Sequence, residues 1–332
     1  MIKPFSFHSN VVSSTICLLV FSLFGFIWVA GVGERATISK RFEIVHAKRD
    51  DGFTFRIYSN NIRYNATNLF EYEQPWEVRK AGVLNAIKSK DTSLPILVSI
   101  QECLHNQLID LKLGLNEQTN SSDYPWTHFG VGRDDGQEAG EYSPILYNTN
   151  DWELLNGTSR WLSTTPLTPS IFPGADTKRI VTITTFKHKA TGKILNYFNT
   201  HLDQQSQDAR TFGVNEILTY MSEVPNTAQT FFSGDFNSLR NDTAYITVAQ
   251  HMKDTELVAY KHINDSLPTY SGFNPQDDLT GGTIDFIWAT ENTNNEGSPV
   301  SALSHEVVDN LYDGYRFSDH RPVTAVLKLE EN

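Results

Sequence analysis

Ile96-Leu97-Val98-Ser99-Ile100, closed by Gln101 and Glu102, is the stretch from which the fold is read. A run this short, apolar but for one small hydroxyl, suits a strand buried on both faces better than a helix. It ends on a carboxylate, and the same layout recurs along the chain. Phe53, Phe55 and Ile57 alternate as a half-buried strand, with Asn61 on the same parity; His201 follows Ile194 to Thr200; Asp285 sits in Thr-Ile-Asp-Phe-Ile. Gly-Asp-Phe-Asn from Gly234 to Asn237 and Ser-Asp-His-Arg-Pro from Ser318 to Pro322 set acid beside amide or imidazole where apolar runs end. One such string alone is an ordinary turn whose side chains bond their own backbone. Several together, all ending in residue types that carry chemistry, are not a coincidence of turns.

Between these strings, helical and extended periods alternate. Trp76, Val83, Leu84 and Ile87 keep helical spacing, as do Leu104, Leu108, Leu111 and Leu115, and Ser206 to Met221 predicts a third helix. Tyr142 to Tyr147, Thr230 to Phe232, Ile284 to Trp288 and Val323 to Leu329 read as strands. Ile180 to Phe186 and Ile194 to Thr200 flank Gly192 as a hairpin. Mixed strands and helices in this order predict an α/β architecture, with two sheets packed face to face and helices outside.

At 332 residues and 39% hydrophobic, the chain can bury a full core, and no linker divides it beyond the amino-terminal region. Formal charge is −12 and the pI near 5.3, with no basic stripe, which argues against broad electrostatic gripping of nucleic acid. A local arginine cluster or bound cations can still offset that repulsion at a cleft. With Cys17 in the leader and Cys103 after Glu102, no disulfide can form within the remainder. Neither a zinc pattern nor a P-loop is present.

No charged residue lies between His8 and Glu34, and Val11 to Val32 is strongly apolar. That length suits a bilayer span of about 20 residues, so residues 1–35 are expected to be a signal-anchor, with a cleavable signal peptide as the alternative. Residues 36–52 read as a linker and 53–332 as the catalytic domain. Five acceptor sequons, at Asn65, Asn120, Asn156, Asn241 and Asn264, join the leader in favouring a membrane-attached or secreted glycoprotein that works in a lumenal or extracellular space.

The strings Asn-Ile-Arg (61–63), Gln-Glu (101–102), Asn-Thr-His-Leu-Asp (199–203), Gly-Asp-Phe-Asn, Ile-Asp-Phe and Ser-Asp-His-Arg-Pro resemble, in order and spacing, the endonuclease/exonuclease/phosphatase superfamily. The likeness covers roughly Phe53 to Leu329, and Gly130 to Gly136 with Gly140 to Pro144 is similar to a branch near its deadenylase-like members. It implies the deoxyribonuclease I-like four-layer α/β/β/α sandwich.

Phosphate esters repel incoming hydroxide, so such a site must supply positive charge, a positioned water and a proton for the leaving oxygen. Glu102, a hard oxygen ligand, is the first choice to hold Mg²⁺ or Mn²⁺, with Asn61 and Asp319 completing its sphere. Asp235 would orient or deprotonate water, and Asn237 would donate to a phosphate oxygen. His320 paired with Asp285 would exchange protons, and His201, with Glu141 as the carboxylate that the resemblance assigns to it, would stabilise charge on the phosphoryl group. Arg133 is a candidate phosphate contact. The expected activity is hydrolysis of a small, lipid- or glycan-linked phosphoester. The alternatives are a nuclease, in particular a 3′–5′ exoribonuclease, and a noncatalytic binding module.

Overall fold

The structure, a computed structural model, describes residues 52–117, 124–276, 279–295 and 297–331. The expected leader, nearly all of the linker, Cys17, Asn120 and the polar stretch 118–123 lie outside the described residues. No helix among those described is long and apolar enough to cross a membrane.

The first half of the chain runs β1 (Phe53–Asn61), α1 (Trp76–Lys90), β2 (Ile96–Gln101), α2 (His105–Asn116), β3 (Trp126–Phe129), β4 (Ile145–Asn148), β5 (Trp152–Trp161), β6 (Ile180–His188) and β7 (Ile194–His201). The second half runs α3 (Gln207–Glu223), β8 (Gln229–Asp235), α4 (Thr243–Ala249), β9 (Met252–Asp254), α5 (Thr255–Val258), β10 (Lys261–Ile263), β11 (Asp285–Thr290), β12 (Val300–Val307), β13 (Leu311–Tyr312), β14 (Tyr315–Arg316) and β15 (Val323–Leu329). Two mixed sheets form from these strands, ordered β10-β12-β15-β1-β2-β4-β3 and β5-β6-β7-β8-β11-β9. Every residue of β2 is buried, as its unbroken apolar run requires of an interior strand.

The sheets face one another across a core of Phe55, Ile57, Leu97, Tyr197, Phe231, Ile287 and Leu327. On the outer face of the first sheet, Val83 and Ile87 of α1 and Leu108 and Leu111 of α2 pack against Val98 and Ile100. On that of the second, Val214 and Ile217 of α3 and Val248 of α4 pack against Phe198, Phe232 and Trp288. The expected four-layer α/β/β/α sandwich is what forms. Ser206 caps α3 by accepting from the Ala209 amide, and Gly192 takes φ +71° in the β6–β7 hairpin, which suits glycine.

Burial at the inter-sheet seam changes character along the strands. At one end it is aromatic, with Phe53 and Phe55 each edge-on to Trp152 and Phe55 edge-on to Phe231. At the other it is polar: Ser99 Oγ and Ser233 Oγ lie 2.7 Å apart, and Gln101 Nε2 donates to Asn199 Oδ1 at 2.7 Å. Asn199 Nδ2 donates in turn to the Ile100 and Pro144 carbonyls. Buried polar atoms linked in this way pin the two sheets in one register where the strands end.

Candidate active site

Parallel pairing decides what meets at that polar end. β1 and β2 run parallel with Asn61 opposite Gln101, and β7 and β8 run parallel with His201 opposite Asp235. Antiparallel β11 sets its first residue, Asp285, opposite Asp235 as well. Side chains read from separate stretches of sequence therefore converge at one edge of the sandwich. Glycine at 234 is required there, because a Cβ would lie 2.1 Å from the Thr200 carbonyl oxygen and force β7 from β8. Arg63, Glu102 and Asn237 all hold left-handed backbone, at φ +56°, +55° and +47°, where non-glycine residues are strained. Strain of this kind collects at functional sites and is held there by surrounding structure.

Asp235 is the hub. Its Oδ2 accepts from Asn61 Nδ2 at 2.9 Å and lies 3.4 Å from His201 Nε2 and 3.7 Å from His320 Nε2. Burial, reinforced by repulsion from Asp285, lifts its pKa to about 7 against the pull of His320. His320 Nδ1 bonds Asp285 Oδ2 at 2.8 Å. Burial opposes its charge, but Asp285 and then Asp235 outweigh it and hold its pKa well above the ordinary value, so the ring is an imidazolium at neutral pH. Asp235, Asp285 and His320 are also close enough to share an ion, with ligand atoms within 4.8 Å of one another. Because His320 is hydrogen-bonded to Asp285 and has the Asp235 carboxylate 3.7 Å from its other nitrogen, the cluster is suited to hold a proton, and an imidazole is a poor partner for a hard cation.

His201 is the opposite case. Its Nε2 accepts from Asn237 Nδ2 at 3.0 Å, which leaves the proton on Nδ1. Burial first, then the charges of Arg179 and Arg133, push its pKa well below the usual value. The expected pairing with Glu141 is loose, Nδ1 to Oε2 being 3.8 Å, beyond a hydrogen bond. Glu141 instead accepts from Arg133 Nη2 at 2.7 Å, and burial with the Glu102 charge lifts its pKa to about 7. Asn237 gives its amide hydrogens to His201 and to the Leu202 carbonyl, so in this arrangement neither is free for a phosphate oxygen. Here it positions His201.

Glu102 Oε1 accepts from Asn61 Nδ2 at 3.0 Å, and Oε2 accepts from the Tyr64 amide at 3.2 Å. Asn61 Oδ1 accepts from the Arg63 amide, so Asn61 faces Glu102 and Asp235 with its donors. Burial and the negative charge of Glu102 raise the pKa of Asp319. Two repelling hard-oxygen carboxylates at one cleft are a donor set that a divalent cation fits, since its charge relieves the repulsion.

A cavity of about 310 Å³ lies over these groups and also touches Arg63, Gln204 and Tyr270. These three were not singled out from sequence. Arg63 belongs to the Asn-Ile-Arg string and Gln204 follows Asn-Thr-His-Leu-Asp, so position beside a motif was an available signal. Tyr270, whose ring meets His320 edge-on at 5.2 Å, had none.

No family model and no curated protein matches the chain. Among solved structures, an endonuclease/exonuclease/phosphatase from Bacteroides vulgatus is 32% identical at a TM-score of 0.72, the match covering 83% of this chain and 99% of that one. The chain belongs to the endonuclease/exonuclease/phosphatase family. A second family protein, from Bacteroides thetaiotaomicron, is 25% identical at a TM-score of 0.73, covering 84% of this chain and 99% of that one. A mannosyl-6-phosphatase from Bacteroides thetaiotaomicron is 25% identical at a TM-score of 0.71, covering 82% and 99%. Family membership carries phosphoester hydrolysis as the general chemistry, which fits a cleft that gathers carboxylates, two histidines and arginines.

Proposed function

We propose that the chain is a divalent-cation-dependent hydrolase of a small phosphoester, lipid- or glycan-linked, attacked in line by water. The observation that carries this reading is Asp235, set between an imidazolium and a neutral imidazole with Glu102 and Asp319 alongside. Glu102 and Asp319 would hold Mg²⁺ or Mn²⁺, which when bound offsets the charge on the phosphoryl oxygens. Asn61 bridges Glu102 and Asp235 and fixes both. Asp235, with a pKa of about 7, orients the water and accepts its proton. His320, kept charged by Asp285, faces the phosphoryl group and supplies a proton to the leaving oxygen.

Two features support a small substrate. The catalytic cavity is modest, and on the Asp319 side it continues into a groove walled by Phe70, Tyr72, Tyr270 and Phe273, which suits a ring or an acyl chain. The likeness to a mannosyl-6-phosphatase points the same way. A membrane-attached, lumenal or extracellular setting remains part of the proposal through the apolar leader.

The deciding experiment is a turnover screen over sugar phosphates, inositol phosphates, phospholipids, nucleotides and oligonucleotides, with and without EDTA. Turnover of a sugar phosphate or phospholipid should stop in EDTA, return with Mg²⁺ or Mn²⁺, and fall by about 10³ in Glu102→Gln. Oligonucleotides turned over faster than every small ester would replace this reading with a nuclease. Cation-dependent turnover of nothing on the panel would leave a binding module.

A further inference from the structure

On the other side of His201 from His320, the cleft opens into a second lobe of about 450 Å³, lined by Arg63, Glu102, Arg133, Glu141, Arg179 and Gln204 among others. Arg179 immediately precedes β6 and is only 6% exposed. Its Nε and Nη1 are buried without a hydrogen-bond partner, and so is Nε of Arg133. The neighbouring carboxylates are already engaged. Asp203 Oδ2 accepts from the Asp176 amide at 3.0 Å and lies 3.7 Å from Arg179 Nε, too far for a hydrogen bond. Its Oδ1 accepts from the amides of Gln205 and Ser206. Glu141 Oε1 takes Arg133 Nη2, and Asp176 Oδ2 takes Gln204 Nε2.

Both arginines are held in place by backbone. The Leu162 amide donates to the Arg179 carbonyl, and Trp161 Nε1 donates to the Arg133 carbonyl at 2.7 Å. Burial, with Arg133 adding like charge, pushes the Arg179 pKa down. A buried guanidinium whose donors go unused is unfavourable until something accepts from it. Because the unused groups are donors and both residues are cations, the fitting partner is acceptor-rich and negative, and the planar fork of arginine suits an oxyanion. A neutral hydroxyl would bring its own hydrogen into a lobe already supplied with them.

We propose that Arg179 and Arg133 form a second oxyanion subsite, taking a phosphate or carboxylate that the substrate carries in addition to the phosphoester being cleaved. The subsite rests on the reading of the neighbouring cleft as a phosphoester site, and it narrows the substrate class to small molecules with two anionic groups.

Glucose 6-phosphate, glucose 1,6-bisphosphate and 6-phosphogluconate carry the same ester at C6 with no second anion, a phosphate or a carboxylate. Calorimetry on the wild type in EDTA, where no turnover is expected, should give about tenfold or more tighter binding of at least one doubly anionic compound. With Mg²⁺, kcat/KM should show the same order. In Arg179→Gln the ratio should fall to about one, and Arg133→Gln, altered in a loop, should lower it even if the first variant fails to fold. Whichever second anion gains more identifies the group preferred. Equal binding of all three by the wild type, or a ratio that survives both substitutions, overturns the subsite. Discrimination in binding with no hydrolysis of any ester would sink the phosphoester reading and leave the subsite standing; hydrolysis without discrimination would do the reverse.

Discussion

His201 and His320 are both buried, both within 4 Å of the same Asp235 oxygen, and yet their pKa values are pushed in opposite directions. Burial acts against the imidazolium in each. What differs is the partner on the far nitrogen. His320 has Asp285 at 2.8 Å, whereas His201 has Glu141 at 3.8 Å with Arg133 and Arg179 behind it. Charge placed by one strand start and one loop therefore decides in which direction each ring's pKa moves. On the His320 side the ring is tied by its hydrogen bond to Asp285. Beside His201 stand Arg179 and Arg133 donors without a hydrogen-bond partner, the side on which the second oxyanion is proposed.

The largest effect should come from removing the charge that sets this difference. Asp285→Asn keeps the shape but takes away the anion that holds His320 protonated, and kcat should fall by about 10³ to 10⁴, as general acid–base groups and their orienting carboxylates allow. The alkaline limb of the pH profile should move to lower pH, since His320 would lose its proton sooner. Retention of more than a tenth of wild-type kcat, measured on the best substrate from the turnover screen, would mean that His320 is not the proton donor. On the other ring, His201→Gln removes an imidazole that Asn237 holds in place and whose pKa is pushed down. Its kcat should fall by no more than about 10², with the shape of the pH profile kept. A loss as deep as that of Asp285→Asn would end the asymmetry between the two rings.

Much of this was legible in the sequence because the informative strands are interior ones. Ile96 to Ile100 is buried on both faces and so is apolar without interruption, and the residues that close such strands cannot be solvent-facing by accident. Asp285 and His320 could be read from strings that place charge at a strand end. Bulged strands gave no comparable pattern. β5 is half exposed along its length and bulged between Leu154 and Asn156, and β12 is bulged between Ala302 and Ser304, so the alternation that announces a strand is broken in both. The stretch 142–147 read as extended throughout, but the ladder with β2 starts at Ile145, because Pro144 has no amide to donate. Arg179 was illegible for a different reason. Beside Lys178 it looks like a solvated basic pair, and only the pairing of β6 with β5 and β7 turns it into the cleft. Glu141 was reached through the resemblance, but its bond to Arg133 crosses a loop and follows no period, so that partner could not be read.

A third buried histidine sharpens the rule with the smallest effect. His305, on β12, is 1% exposed, and its Nδ1 has no hydrogen-bond partner. Burial, followed by the charges of Arg240 and His262, lowers its pKa to about 3. With burial as the largest cause, it shows the direction in which both His201 and His320 would move without a carboxylate partner. Because the folded value lies below that of the unfolded chain, about 6.5, acid protonates the unfolded form first. The stability that His305 contributes is present above about pH 6.5 and is lost progressively as pH falls toward 3. Between pH 7 and pH 5 the loss from this one group should be roughly 2 kcal/mol. Other groups titrate over the same range, so the readout is the wild-type loss minus that of His305→Gln in denaturant unfolding at the two pH values. A difference near zero would show that the ring gains its proton within the fold, and that a carboxylate partner is not what separates His320 from the others.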